Sequence, residues 1–280
     1  MSRYVLSAFA DEYAASFDRQ IEALHRLHID FIEIRGVDGK NVSTLSDKEV
    51  ADVKLALEQS GIKASAIGSP IGKIALDGDL EAHFAMARRV FATAQLLGAR
   101  YVRVFSFYAP AQKSITDCRE QVFAALERLL DMADEYGLVL CHENEAGIYG
   151  DVPKRCLELT EHFGGRLRCV FDMGNFVLEG VDPLAAYALL QKHIAYFHIK
   201  DALFAGAVVP PGKGEARIAK ILAMHADFAD KDFFVSLEPH LQTFSGLNAL
   251  VGRTFENPYQ YPDAKVAFED AVQKFREELA

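Results

Sequence analysis

The chain has 280 residues, 50% of them hydrophobic and 25% charged, the balance of an ordinary globular protein long enough for a substantial core. Its formal net charge of -10 disfavours broad attraction to a phosphate backbone, so no nucleic-acid partner is expected. No apolar run approaches the roughly 20 residues that cross a bilayer, and the N-terminus lacks a signal-peptide core and cleavage pattern. A cytoplasmic protein without a membrane partner is the expectation.

In chain order, Tyr4 to Ala10 reads as a strand and Tyr13 to His28 as a helix, with Phe17, Ile21, Leu24 and Leu27 at helical spacing. Ile29 to Ile34 is a second strand. Ser46 and Glu49 match a capping box for a helix that stops at Gly61. Ile62 to Ile67 is the third strand, Leu80 to Leu97 a long helix, and Tyr101 to Phe105 the fourth strand. Ile115 to Tyr136 is helical, with Val122, Leu126, Leu129, Leu130 and Ala133 on one side. The fifth strand opens at Leu138 and ends in His142, Glu143, Asn144 and Glu145. A helix begins at Pro153 with Asp151 as its cap. Leu167 to Asp172 is the sixth strand, and Asp182 followed by Pro183 starts another helix. Ile194 to His198 is the seventh strand, Ile218 to Phe228 a helix, Phe233 to Glu238 the eighth strand, and Asp263 to Leu279 the last helix.

Eight apolar runs, each followed by a helical segment, predict a parallel sheet with helical crossovers. The number fits one closed (β/α)8 TIM barrel over residues 1–280. No G-x-G-x-x-G follows the first strand, which removes the main support for a dinucleotide-binding sheet. The non-periodic stretch at 241–261 is expected to be a lid or an oligomer contact, with a homo-oligomer (dimer or tetramer) left open. Cys118, Cys141, Cys156 and Cys169 show no C-x-x-C spacing and are expected to be reduced and buried.

In a TIM barrel the C-terminal strand ends form the active-site rim. Glu143, Asp172, His198 and Glu238 end strands five to eight, so they would converge across one half of the mouth. Three crowded carboxylates repel unless a cation neutralises them. With one imidazole they make a hard, mixed N/O site for one divalent ion: Mn²⁺, Mg²⁺, Co²⁺ or Zn²⁺. His142 should point away from Glu143 by strand alternation. Glu33 and Arg35 end strand two and either meet substrate or pair with each other. Lys200, Arg217 and Lys213 are candidates to receive a phosphate or carboxylate. His240 is a substrate or supporting contact, and Phe105, Phe107 and Tyr108 could wall the pocket.

The segments Glu143-Asn144-Glu145-Ala146-Gly147, Asp172-Met173-Gly174-Asn175, His198-Ile199-Lys200-Asp201, Pro211-Gly212-Lys213-Gly214-Glu215 and Glu238-Pro239-His240 together resemble the xylose-isomerase-like sugar isomerase/epimerase superfamily. That superfamily includes ketose 3-epimerases, hydroxypyruvate isomerases, inosose dehydratases and the endonuclease IV branch. The resemblance implies that Glu143, Asp172, His198 and Glu238 hold one divalent metal. It further implies that Glu143 and Glu238 move a proton beside a substrate carbonyl, through a metal-stabilised enediolate. A sugar, sugar phosphate or polyol is the expected small-molecule partner. A metal-dependent dehydratase and a non-catalytic sugar-binding barrel are the alternatives. An apurinic endonuclease would need additional histidines where the chain has Gly68-Ser69-Pro70, Ser106-Phe107 and Asn175. Two positions depart from the resembled motifs: Asn175 and Glu145 each stand where a histidine is usual, and both are candidate substrate contacts.

Overall fold

The structure, a computed structural model, describes residues 4–241 and 259–280. Eight strands, β1 (Tyr4–Ala8), β2 (Phe31–Ile34), β3 (Lys63–Ile67), β4 (Tyr101–Val104), β5 (Val139–Glu143), β6 (Leu167–Asp172), β7 (Ile194–Ile199) and β8 (Phe233–Leu237), form one sheet. Their order is β1-β8-β7-β6-β5-β4-β3-β2, and every hydrogen-bonded pair is parallel. The two ends of that order, β1 and β2, lie side by side, so the sheet curls into a nearly closed (β/α)8 barrel.

The surrounding helices are α1 (Phe17–Arg26), α2 (Asp47–Ser60), α3 (Leu80–Leu96), α4 (Arg119–Asp134), α5 (Pro153–His162), α6 (Met173–Leu178), α7 (Pro183–Leu190), α8 (Ile218–Phe228) and α9 (Ala264–Glu278). Local chemistry explains their boundaries. Both halves of the Ser46–Glu49 capping box form at the start of α2, and Gly61 ends that helix in the left-handed region at φ 75°. Asp79, Asp182 and Asp263 cap α3, α7 and α9 by accepting backbone N–H groups. On α4, Val122, Leu126, Leu129, Leu130 and Ala133 are all buried, as the 3.6-residue period requires. Each such large side chain removed from water contributes on the order of 1.5–3 kcal/mol before entropy is charged against it.

Three readings of the sequence shift. The first helix begins only at Phe17, because Ala10–Glu12 forms a separate 3-10 turn. The segment Ile115 to Tyr136 is a 3-10 turn, Ile115–Cys118, followed by α4. Asp151 does not cap α5: Val152 holds that position, and the Asp151 carboxylate is paired with Arg155 instead. All four cysteines are free and buried. Among the described residues no helix is long and apolar enough to cross a membrane. Of the stretch expected to be a lid or an oligomer contact, 242–258 lies outside the described residues.

Candidate metal centre

Glu143, Asp172, His198 and Glu238 are brought together at the C-terminal mouth, with one ligand atom from each within 4.8 Å of the others and all four side chains buried. The parallel register produces this. Asp172 lies opposite His198, Glu143 lies opposite Val170, two residues before Asp172, and Glu238 follows Leu237, so neighbouring strand ends bring the four side chains in from staggered heights. Asn144 locks the first two strands together: its carboxamide donates to the Asp172 carbonyl (2.9 Å) and accepts the Asp172 N–H (3.0 Å). Asp172 also begins α6, with Oδ1 accepting the Asn175 N–H at 2.8 Å.

Four cations or potential cations answer the acids. Lys200 Nζ donates to Asp172 Oδ2 (2.8 Å) and Asn175 Oδ1 (3.0 Å), and lies 3.5 Å from Glu238 Oε2. Arg103 Nη1 lies 3.1 Å from Glu143 Oε2 and 3.3 Å from Glu238 Oε1. Its guanidinium sits over the rings of Phe9 and Phe105 at 5.1 and 5.0 Å, which fixes it in place. Arg35 reaches Glu238 Oε1 (2.8 Å) and both oxygens of Asp11 (2.8 and 3.1 Å). His198 Nδ1 lies 2.8 Å from Glu143 Oε1 and 3.3 Å from Glu238 Oε2.

The charges follow from this packing. Burial opposes ionisation of Glu143, but His198 and Arg103 outweigh it and bring the group down to about 2. Burial likewise opposes Glu238, and Lys200, His240 and His198 carry it well below the ordinary carboxylate range. At Asp172 burial wins over Lys200, and the group is pushed up to about 7. His198 is raised well above its usual value because Glu33, Glu143 and Glu238 overcome its desolvation.

The donor set fits a divalent cation. It is mixed oxygen and nitrogen, it converges, and two of its buried oxygens, Glu143 Oε2 and Glu238 Oε2, accept no hydrogen bond. A second trio, Glu12, Glu238 and His240, also gathers within 4.8 Å. There the Arg35 guanidinium already stands, 3.3 Å from Glu12 Oε1 and 3.4 Å from His240 Nε2.

The cleft above the quartet is lined by Arg35, Arg103, Glu143, Lys200, Glu238 and His240, with Lys73 and Glu145 at its side. Of the candidate substrate contacts, Lys200, His240 and Glu145 therefore border it. Glu145 is paired with Lys73 at 3.1 Å. Asn175 is buried behind Lys200, with its amide nitrogen donating to the Asn144 carbonyl at 2.8 Å. Arg217 is exposed at the start of α8 and does not border the cleft. Glu33 is buried beneath it and does not pair with Arg35; it meets His198 and Tyr196 instead. His142 does turn away from the quartet, to Ser106 Oγ at 2.9 Å. Sequence reasoning missed Arg103, although a lone arginine inside the apolar run Val102-Arg103-Val104 was a usable signal. It also missed Asp11 and Glu12, in the turn after β1, whose partner Arg35 follows the end of β2.

The chain belongs to the xylose isomerase-like TIM barrel family, whose model matches residues 21–256. An inosose dehydratase of Lacticaseibacillus casei is 31% identical over 85 residues, a match that spans 29% of this chain and only 28% of that enzyme's length. Among solved structures, the IOLI protein with a bound zinc atom aligns at a TM-score of 0.73 and 17% identity, over 98% of both chains. A D-allulose 3-epimerase from Methylomonas sp. in complex with D-allulose aligns at a TM-score of 0.73 and 16% identity, over 99% of this chain and 98% of that one. At these identities the two structures speak for the fold.

Proposed function

We propose that the chain is a divalent-metal-dependent sugar or sugar-phosphate isomerase or epimerase. The observation that carries this reading is the buried quartet Glu143, Asp172, His198 and Glu238, in which two glutamates each keep an oxygen free of hydrogen bonds. These four residues would hold the ion, with manganese, magnesium, cobalt and zinc all compatible with the donors. Such an ion, when bound, polarises substrate oxygens and lowers the cost of negative charge beside a carbonyl.

The chain's own residues do the rest. Glu143 ends β5 and Glu238 directly follows β8, with β6 and β7 between, so they flank the cleft from two sides. One carboxylate removes the proton beside the carbonyl and the other returns one. Delivery to the opposite face of the same carbon gives an epimer; delivery to the neighbouring carbon gives the aldose–ketose isomer. Lys200, held by Asp172 and Asn175, presents its ammonium to the same cleft and can donate to a substrate oxygen. The flanking cations outweigh burial and keep Glu143 and Glu238 ionised, as a proton acceptor must be.

A dehydratase is the second reading, and the segment shared with the inosose dehydratase favours it. Loss of the same proton can expel a β-hydroxyl in place of reprotonation. The test is incubation of the protein with each divalent metal and a panel of ketoses, sugar phosphates, inososes and keto acids in D₂O, followed by NMR. Deuterium uptake beside the carbonyl with an isomeric product supports the isomerase. Loss of water supports the dehydratase. Binding without exchange or elimination across the panel would leave a sugar-binding barrel, and failure to bind any divalent ion would end the metal reading.

A further inference from the structure

We infer that Glu33 is a positioning residue, one that holds His198 by Nε2 from beneath the cleft and thereby presents Nδ1 to Glu143 and Glu238. The inference rests on the metal reading above, though not on the identity of any substrate.

Glu33 comes from β2 and His198 from β7, three strands away round the barrel, yet Glu33 Oε2 lies 3.1 Å from His198 Nε2. Its other oxygen, Oε1, accepts from the Tyr196 hydroxyl at 2.9 Å. All three side chains are at most 1% exposed. A carboxylate can only accept, so both ring nitrogens face acceptors here, and an ion taking the Nδ1 side would leave the remaining proton on Nε2, held by Glu33. The Nδ1 side is where Glu143 Oε1 and Glu238 Oε2 lie, at 2.8 and 3.3 Å.

The ring has little freedom to turn. Phe9 meets it edge-on at 5.1 Å and 77°, and Tyr196 at 5.5 Å and 66°. The backbone supports the arrangement as well. The β2–β3 ladder shifts register between Ile32 and Glu33, and Ser65 fills the step by donating to the Ile32 carbonyl at 3.1 Å. The extra residue at that step is Ser65 on β3, directly beside Glu33 in the ladder. A carboxylate behind a ligating histidine fixes both its tautomer and its orientation, and losing one typically weakens metal binding 10–100-fold.

The test uses the full chain and zinc chloride alone. Native protein, Glu33→Leu, Glu33→Gln and Tyr196→Phe are titrated with Zn²⁺ by calorimetry, and the His198 imidazole nitrogens are followed by ¹⁵N NMR. Zn²⁺-loaded native protein should carry the His198 proton on Nε2. Glu33→Leu should bind Zn²⁺ about 10–100-fold more weakly, and Glu33→Gln, which keeps an acceptor for Nε2, should recover most of that loss. Zn²⁺ affinity of Glu33→Leu within twofold of native, or a His198 proton on Nδ1 in Zn²⁺-loaded native protein, would overturn the inference while leaving the metal reading intact. Native protein that binds no Zn²⁺ overturns both. Should Glu33→Leu fail to fold, the His198 tautomer of Zn²⁺-loaded native protein decides.

Discussion

Replacing Glu238 by glutamine separates the role of its charge from that of its shape. Its carboxylate lies 2.8 Å from Arg35, 3.3 Å from Arg103, 3.3 Å from His198 and 3.5 Å from Lys200. Removing one partner of an isolated buried pair costs about 3–5 kcal/mol. Here each cation keeps another acid: Arg35 keeps Asp11 and Glu12, Arg103 keeps Glu143, and Lys200 keeps Asp172. The expected destabilisation is therefore smaller, about 1–2 kcal/mol, with the glutamine oxygen still accepting from Arg35. Proton transfer should suffer far more. A positioned acid or base is worth about 10²–10⁴ in rate, which corresponds to roughly 3–5 kcal/mol of barrier. Urea unfolding reads the first quantity, and deuterium exchange beside the carbonyl of a turned-over substrate reads the second. Glu143→Gln should behave alike. Exchange above a tenth of the native rate in either variant would refute a mechanism that divides proton transfer between these two glutamates.

Other expectations concern the scaffold. A methyl group built on Gly150 would sit 2.2 Å from the His142 ring, and that ring is held by Ser106, so Gly150→Ala should cost about 1–3 kcal/mol in urea unfolding. Burial lowers His142 to about 4 from 6.5, so the native state holds it neutral. Its contribution is fully present above about pH 6.5 and lost progressively as pH falls towards 4, reaching about 2 kcal/mol lost at pH 5; the fall in stability from pH 7 to pH 5 should be shallower by that amount in a folded His142→Gln variant. Ser46→Ala removes a capping box whose serine and Glu49 satisfy each other's backbone donors, and should cost about 1 kcal/mol, read as a fall in Tm of about 2 °C.

The barrel was legible because its signals are local and repeated. Period-2 and period-3.6 apolar patterns, the Ser46–Glu49 box and the Asp182–Pro183 start each name an element without knowledge of its neighbours. The quartet was legible for a related reason: once eight strands are counted, consecutive strand ends must be adjacent in space. Contacts across the barrel were not legible. Glu33 and Tyr196 are 163 positions apart, and Arg35 and Glu238 are 203 apart. Glu33 and Arg35 close one short strand, and the sequence left substrate contact and mutual pairing equally open. Arg35 turns to Asp11 and Glu238, and Glu33 to His198 and Tyr196. Asp151 failed as a cap for a similar reason. Arg155, one turn later, offers its carboxylate a charged partner.

The two departures from the resembled motifs become intelligible together. At each position where a histidine is usual, this chain carries an acceptor, and a lysine has come to meet it. Asn175 Oδ1 accepts from Lys200 at 3.0 Å, and Glu145 Oε2 accepts from Lys73 at 3.1 Å. Both lysines border the cleft, whereas Asn175 does not. Gly174 makes the first approach feasible, because a Cβ there would lie 2.7 Å from Lys200 Cγ and 2.8 Å from its backbone oxygen. Imidazole can donate or accept; an ammonium held by carboxylates only donates. If the cleft takes a sugar, as proposed, Lys200 and Lys73 are two charged donors it would meet there. Oxygens that are anionic, or that become so as a neighbouring proton leaves, are what such donors would hold best.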